Sequence, residues 1–167
     1  DAWRPQINGV VRTLERVSEE LGDMGVEVST LTPQDFRTMP MPTYPEIRLA
    51  LATPGRIGAR AAERMPDAVH IATEGPIGYG VRRWCLANKR PFTTSFHTRF
   101  PEYVAARAPV PLSWSYAALR RFHNAGRGCM VATKSLEREL ASRGFTNLLP
   151  WSRGVDAELF RPRPEAR

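Results

Sequence analysis

At 167 residues, 42% of them hydrophobic and 25% charged, the chain has the size and composition of one domain with a real core. Its formal charge of +7 comes from 24 basic residues spread along the sequence rather than massed on one element. That distribution speaks against nucleic-acid binding and leaves two readings, a solvated surface or attraction to phosphate in a ligand or on an anionic membrane face. No run of about 18 apolar residues occurs, and the amino terminus has neither a basic lead nor an apolar signal core, so a cytoplasmic location without a membrane span is expected.

The first eleven residues, DAWRPQINGVV, read as a turn opening into a helix, with Asn8-Gly9 at the point of entry. Helix N-termini carry unpaired N–H groups and partial positive charge, and glycine lets an anion approach the backbone. Asn-Gly is also common in turns that bind nothing. In a Rossmann-type unit such a turn follows a buried strand, so a first strand is expected to be missing before Asp1. Val10, Val11, Leu14, Val17 and Leu21 recur at three- and four-residue steps, predicting an amphipathic helix over 9–24 that Gly25 closes.

VEVSTLT at 26–32 and PEIRLAL at 45–51 read as strands separated by a proline-broken loop. A helix is predicted over 55–65, a strand over 67–73 ending in Glu74-Gly75-Pro76, and another helix from about Gly78. Pro91 opens the strand FTTSF, which delivers His97 at its carboxyl end. A proline-rich connection then leads to a helix near 112–125. CMVATK is a strand, Ser135 the expected N-cap of a helix over 136–143, and FTNLLPW the last strand before a polar tail. Alternating strands and helices, with short apolar strands, predict a Rossmann-like α/β fold in which a parallel sheet is covered by helices on both faces.

Ligands bind such sheets at the carboxyl ends of the strands. Asn8-Gly9, Glu74-Gly75-Pro76, His97-Thr98-Arg99 and Lys134-Ser135 fall there, which suggests one cleft. A single glycine departs from the G-x-G-x-x-G fingerprint and no acidic residue closes the second strand, so a dinucleotide is disfavoured. His97 has polar neighbours, and its near-neutral pKa suits hydrogen bonding or proton exchange with a sugar hydroxyl or phosphate. Glu74 reads equally as a ligand for sugar hydroxyls or as a favourable charge at a helix start. His70, inside a strand, reads as structural, and His123, beside Arg120 and Arg121, as a surface residue. Cys85 and Cys129 read as buried free thiols in a reduced compartment. No metal-ligand spacing and no G-x-S-x-G elbow occurs. In PLSWSYAALRRFHNAG the aromatics Trp114, Tyr116 and Phe122 read either as core or as a basic, membrane-touching helix face.

Taken together, DAWRPQINGVVRTL, HIATEGPIGYGVRRWC, TTSFHTRFPEYV, VATKSLEREL and SRGVDAELFRP make the chain resemble the N-terminal half of a retaining GT-B glycosyltransferase of the family-4 type, nearest to bacterial α-mannosyltransferase-like enzymes. The resemblance implies a Rossmann-like acceptor-side domain over residues 1–151 and an interdomain linker over 152–167 leading to an absent donor-binding domain. It implies that Asn8, Gly9 and Thr98 meet the donor, that His97 works near the reacting centre, and that Arg4, Gln6, Glu74, Arg99 and Tyr103 lie on the acceptor side. The substrate implied is a nucleotide sugar, GDP-mannose or a UDP-sugar, with a lipid or glycan acceptor. No metal or other cofactor is expected, nor is turnover by this fragment alone. A GT-B-like sulfosugar transferase, a sugar-nucleotide epimerase, and a non-catalytic ligand-binding or membrane-docking module remain as alternatives.

Overall fold

Asn8 shows why the first helix starts where it does: its side-chain Oδ1 accepts from Val10 N and Val11 N, each at 3.0 Å, and helix α1 runs Gly9–Asp23. Asn8 has an extended backbone (φ −142°), so Asn-Gly acts as cap and first helical residue rather than as a left-handed turn. At the other end Gly25 adopts φ +81°, and Val26 N reaches back to Leu21 O at 2.9 Å. The computed structural model describes residues 3, 4, 6, 8–41, 44–97, 100–105, 109–152, 154, 155, 157, 160 and 161, with backbone only at 44, 46 and 103–105. Thr98, Arg99 and the Tyr103 side chain lie outside the described residues.

The expected strand at 26–32 is not one. Among the described residues no neighbour pairs with 26–31, and Val26 and Val28 are exposed, because an extended segment becomes a strand only when a partner completes its ladder. Thr32 then caps a single 3-10 turn, Pro33–Asp35, in a capping box with Asp35. The stretch read as a proline-broken loop contains β1 (Thr38–Met41), antiparallel to β2 (Tyr44–Ala50). Pro40 is tolerated because a two-stranded hairpin consists entirely of edge strands.

Helix α2 (Pro54–Glu63), capped by Thr53, packs on α3 (Pro76–Ala87). The larger sheet is parallel and ordered β3 (His70–Ile71), β4 (Thr93–Ser95), β5 (Gly128–Val131), β6 (Leu148–Pro150). Strand β3 is shorter than the sequence suggests because its ladder runs only where β4 lies beside it. The connections are α3, then α4 (Phe100–Ala105) with α5 (Leu112–His123), then α6 (Lys134–Ser142). Helix α4 falls where only a proline-rich connection is expected. Helix α6 starts two residues early, since Thr133 and not Ser135 is its N-cap, accepting from Leu136 N at 3.2 Å.

This is the Rossmann-like α/β architecture, a parallel sheet flanked by helices. One core cluster joins Ala50, Ile57, Ile71, Ile77, Val81, Cys85, Phe92 and Phe122, and a second joins Phe96, Tyr116, Leu119, Cys129, Val131, Leu140 and Phe145. Both cysteines are buried and free. On α5 the aromatics divide. Tyr116 and Phe122 are core, whereas Trp114 is 71% exposed.

Candidate functional site

Because β3 to β6 are parallel neighbours, the residues that follow them gather at one rim. Glu74 follows β3, His97 follows β4, Thr133 and Lys134 follow β5, and Trp151 follows β6. Two contacts shape the middle of this rim: Phe96 N donates to Met130 O at 2.9 Å and Trp151 N to Val131 O at 2.8 Å. The His97 ring, half-buried, meets the Trp151 indole edge-on with centroids 5.9 Å apart. Lys134 and Ser135 lie exposed in the first turn of α6.

The position of Glu74 depends on Gly78. A Cβ there would lie 2.0 Å from the Thr73 carbonyl oxygen, so only glycine lets α3 sit this close to the end of β3. Glu74 does not cap that helix. Gly75 is its N-cap, without a side-chain bond, and the Glu74 carboxylate instead accepts from His123 Nε2 at 3.1 Å.

The reading of His123 as a surface residue is therefore wrong: it is fully buried at the end of α5. Its Nδ1 lies 2.8 Å from Thr94 Oγ1 and 3.5 Å from Cys129 Sγ, and the rings of Phe96, Phe122 and Phe145 surround it. Burial works against a charge on this ring, but the bonds to Cys129 and Glu74 outweigh it and push the pKa up to about 9. The signal was present in the sequence. Leu112, Tyr116, Leu119 and His123 follow the helical repeat that faces the core, and the basic residues beside His123 obscured it.

Helix α4 is tied to α5 at the same side. Tyr116 Oη donates to Glu102 Oε1 at 2.7 Å, and the Arg143 guanidinium lies 3.8 Å above the Tyr116 ring. Burial, then the bond to Glu102, pushes the Tyr116 pKa up to about 12.

The Asn8-Gly9 loop is held through α1. Arg4 pairs with Glu15, Gln6 Oε1 accepts from Asn8 Nδ2 at 2.9 Å, and a Cβ on Gly9 would meet nothing within 4 Å. The hydrogen bonds and ion pairs described above therefore join Glu74 to His123, and a ring contact joins His97 to Trp151, but they do not join Asn8-Gly9 to either pair. Among the described residues no group of three or more His, Cys, Asp or Glu converges as a metal site, and no helix is long and apolar enough to cross a membrane.

A parallel sheet flanked by helices, with polar loops at its carboxyl rim, fits one half of a GT-B fold. The family model of Glycosyltransferase Family 4 matches residues 7–159, and the chain belongs to that family. It is similar to the sulfoquinovosyl transferase of Arabidopsis thaliana, 27% identical over 94% of this chain and 34% of that protein. It is also similar to GDP-mannose-dependent alpha-mannosyltransferases of Mycobacterium tuberculosis (23% identical) and Mycolicibacterium smegmatis (25%), each over 97% of this chain and 48% of the relative. The chain thus spans about a third to about half the length of these curated relatives. No solved structure matches.

Proposed function

We propose that the full-length protein is a glycosyltransferase that moves a hexose, mannose from a GDP-linked donor, to a lipid or glycan acceptor with retention, and that this chain is its acceptor-side domain. Residues 1–151 form that domain and 152–167 lead to the donor-binding half. The observation that carries the reading is family membership combined with a rim where His97 and Glu74 follow adjacent parallel strands.

In this reading the open space at Gly9, at the positive end of α1, admits the donor diphosphate. His97, placed against Trp151, contacts the transferred sugar near the reacting carbon, with Thr98 beside it on the donor side. Glu74, Arg4, Gln6, Arg99 and Tyr103 receive the acceptor hydroxyls. Rate then comes from positioning and from stabilising charge on the leaving diphosphate, without a metal or other cofactor.

The test is sugar transfer by the full-length protein with GDP-mannose, UDP-hexoses and a UDP-sulfosugar as donors. The expected outcome is transfer from GDP-mannose that falls at least about a hundredfold in His97→Ala. Undiminished transfer removes His97 from the mechanism. Transfer only from the sulfosugar donor selects a second reading, supported by the Arabidopsis relative.

A lipid acceptor brings a peripheral contact with an anionic membrane face. The support is Trp114, 71% exposed on the helix that carries Arg120 and Arg121. Sedimentation with anionic but not neutral vesicles, weakened in Trp114→Ala, is the expected result.

A further inference from the structure

The pairing of His123 with Glu74 exceeds what packing α5 requires. A fully buried imidazole needs partners, and these partners dictate its state. The Glu74 carboxylate accepts from Nε2–H, and Thr94 Oγ1, 2.8 Å from Nδ1, is free to accept from Nδ1–H while its hydroxyl donates to the Gly128 carbonyl at 3.4 Å. Both ring nitrogens then carry a proton. His123 is an imidazolium, and its place as the last residue of α5, where the helix is partly negative, favours the same form.

Other charged and titratable groups also face the ring, and among them Cys129 favours the protonated form together with Glu74. From α3 come Arg82, whose guanidinium is bonded to Phe122 O at 3.1 Å and Arg121 O at 2.8 Å, and Tyr79, whose ring packs on Phe122. Strand β5 presents Cys129. Strand β4 and the segment after α6 present Thr94, Phe96, Phe145 and Asn147, none of which titrates.

We propose that His123 is a positioning residue: as a buried imidazolium it fixes one oxygen of Glu74 at the carboxyl end of β3 and leaves the rest of that carboxylate to accept hydrogen bonds from the acceptor's hydroxyls. The proposal rests on the reading of Glu74 as an acceptor-side ligand. Two physical consequences make the arrangement useful. A side chain with three rotatable bonds becomes a directed acceptor before substrate arrives, which lowers the cost of binding. The buried cation also offsets the charge of the carboxylate, so Glu74 can accept hydrogen bonds there without standing as an uncompensated charge.

The experiment uses the full-length protein and two readouts. Imidazole 15N NMR is expected to show His123 protonated on both nitrogens near neutral pH with a midpoint at about 9, and the midpoint is expected to fall in Glu74→Gln. Kinetically, His123→Gln is expected to raise the acceptor KM about tenfold with the donor KM within about twofold. In the wild type the acceptor KM should climb as pH passes about 9, a limb absent from Glu74→Gln. If His123→Gln does not fold, Thr94→Val, which removes one of the two Nδ1 partners at constant shape, is expected to shift the same midpoint and the same KM.

An unchanged midpoint in Glu74→Gln overturns the proposal. So does a coupled pair whose loss leaves the acceptor KM unmoved. Failure of the wild type to transfer any sugar would instead sink the proposed function, and the Glu74→Gln titration would still decide the pair.

Discussion

Two histidines flank β4, one on each face, and they have opposite chemistry. His70 lies across from Thr93 in the β3–β4 ladder, with Nδ1 2.8 Å from Thr93 Oγ1 and Nε2 2.9 Å from Ser95 Oγ. His123 reaches Thr94, whose side chain points the other way because strand side chains alternate. Hydroxyls can donate or accept, so His70 is satisfied as a neutral ring. Part of His70 is open to solvent, yet both nitrogens are turned into the sheet, and that enclosure pushes its pKa down to about 4. His123 is fully buried and is nonetheless the charged one, because its bonds to Cys129 and to Glu74 outweigh burial. Burial lowers the pKa of both rings, and only His123 has partners that reverse it.

The largest expected effect breaks the comparison at its buried member. His123→Ala opens a cavity among Phe96, Phe122 and Phe145 and strands Glu74, so urea unfolding should show a loss of about 3–5 kcal/mol. His70→Ala, at a sheet edge, should cost under about 1 kcal/mol. Equal losses would mean that the Glu74 bond contributes nothing to the difference.

Next in size is Gly78→Ala. Its Cβ cannot coexist with the Thr73 carbonyl, so α3 must shift, at a cost of about 1–3 kcal/mol. That shift carries Glu74 away from His123. The midpoint of His123 should drop along with the stability, which a change confined to helix packing would not produce.

The legibility of these parts in the sequence follows from their physics. Parallel strands and their helices were readable because apolar patterning reports burial, as in the strand FTTSF, whose Phe92 and Phe96 are both buried. Of the hairpin, β2 was readable as PEIRLAL, but β1 was not, because Pro40 is a breaker everywhere except in edge strands. Nor was the absence of a ladder at 26–31, since pairing belongs to the partner and not to the segment. The rim residues Glu74 and His97 were legible as strand-end polar positions. The bond that orients Glu74 was not, because residues 74 and 123 are brought together only by the order of the sheet.

The last effect is a matter of pH. For His123 the folded pKa of about 9 exceeds the ordinary value of 6.5, so the folded state binds the extra proton between the two. Its contribution is complete below about 6.5 and is lost as pH rises toward 9, with stability falling through that window. For His70 the folded pKa of about 4 lies below 6.5, so the unfolded state takes the proton first and stability falls as pH drops from 6.5 toward 4. The two histidines together should place an optimum near 6.5. Glu74→Gln should partly flatten the alkaline side of the urea profile and spare the acid side, while Ser95→Ala, which leaves His70 enclosed, should keep the acid limb and cost a few tenths of a kcal/mol at every pH. A profile in which each variant alters both limbs would show that the two rings titrate as one coupled system across β4.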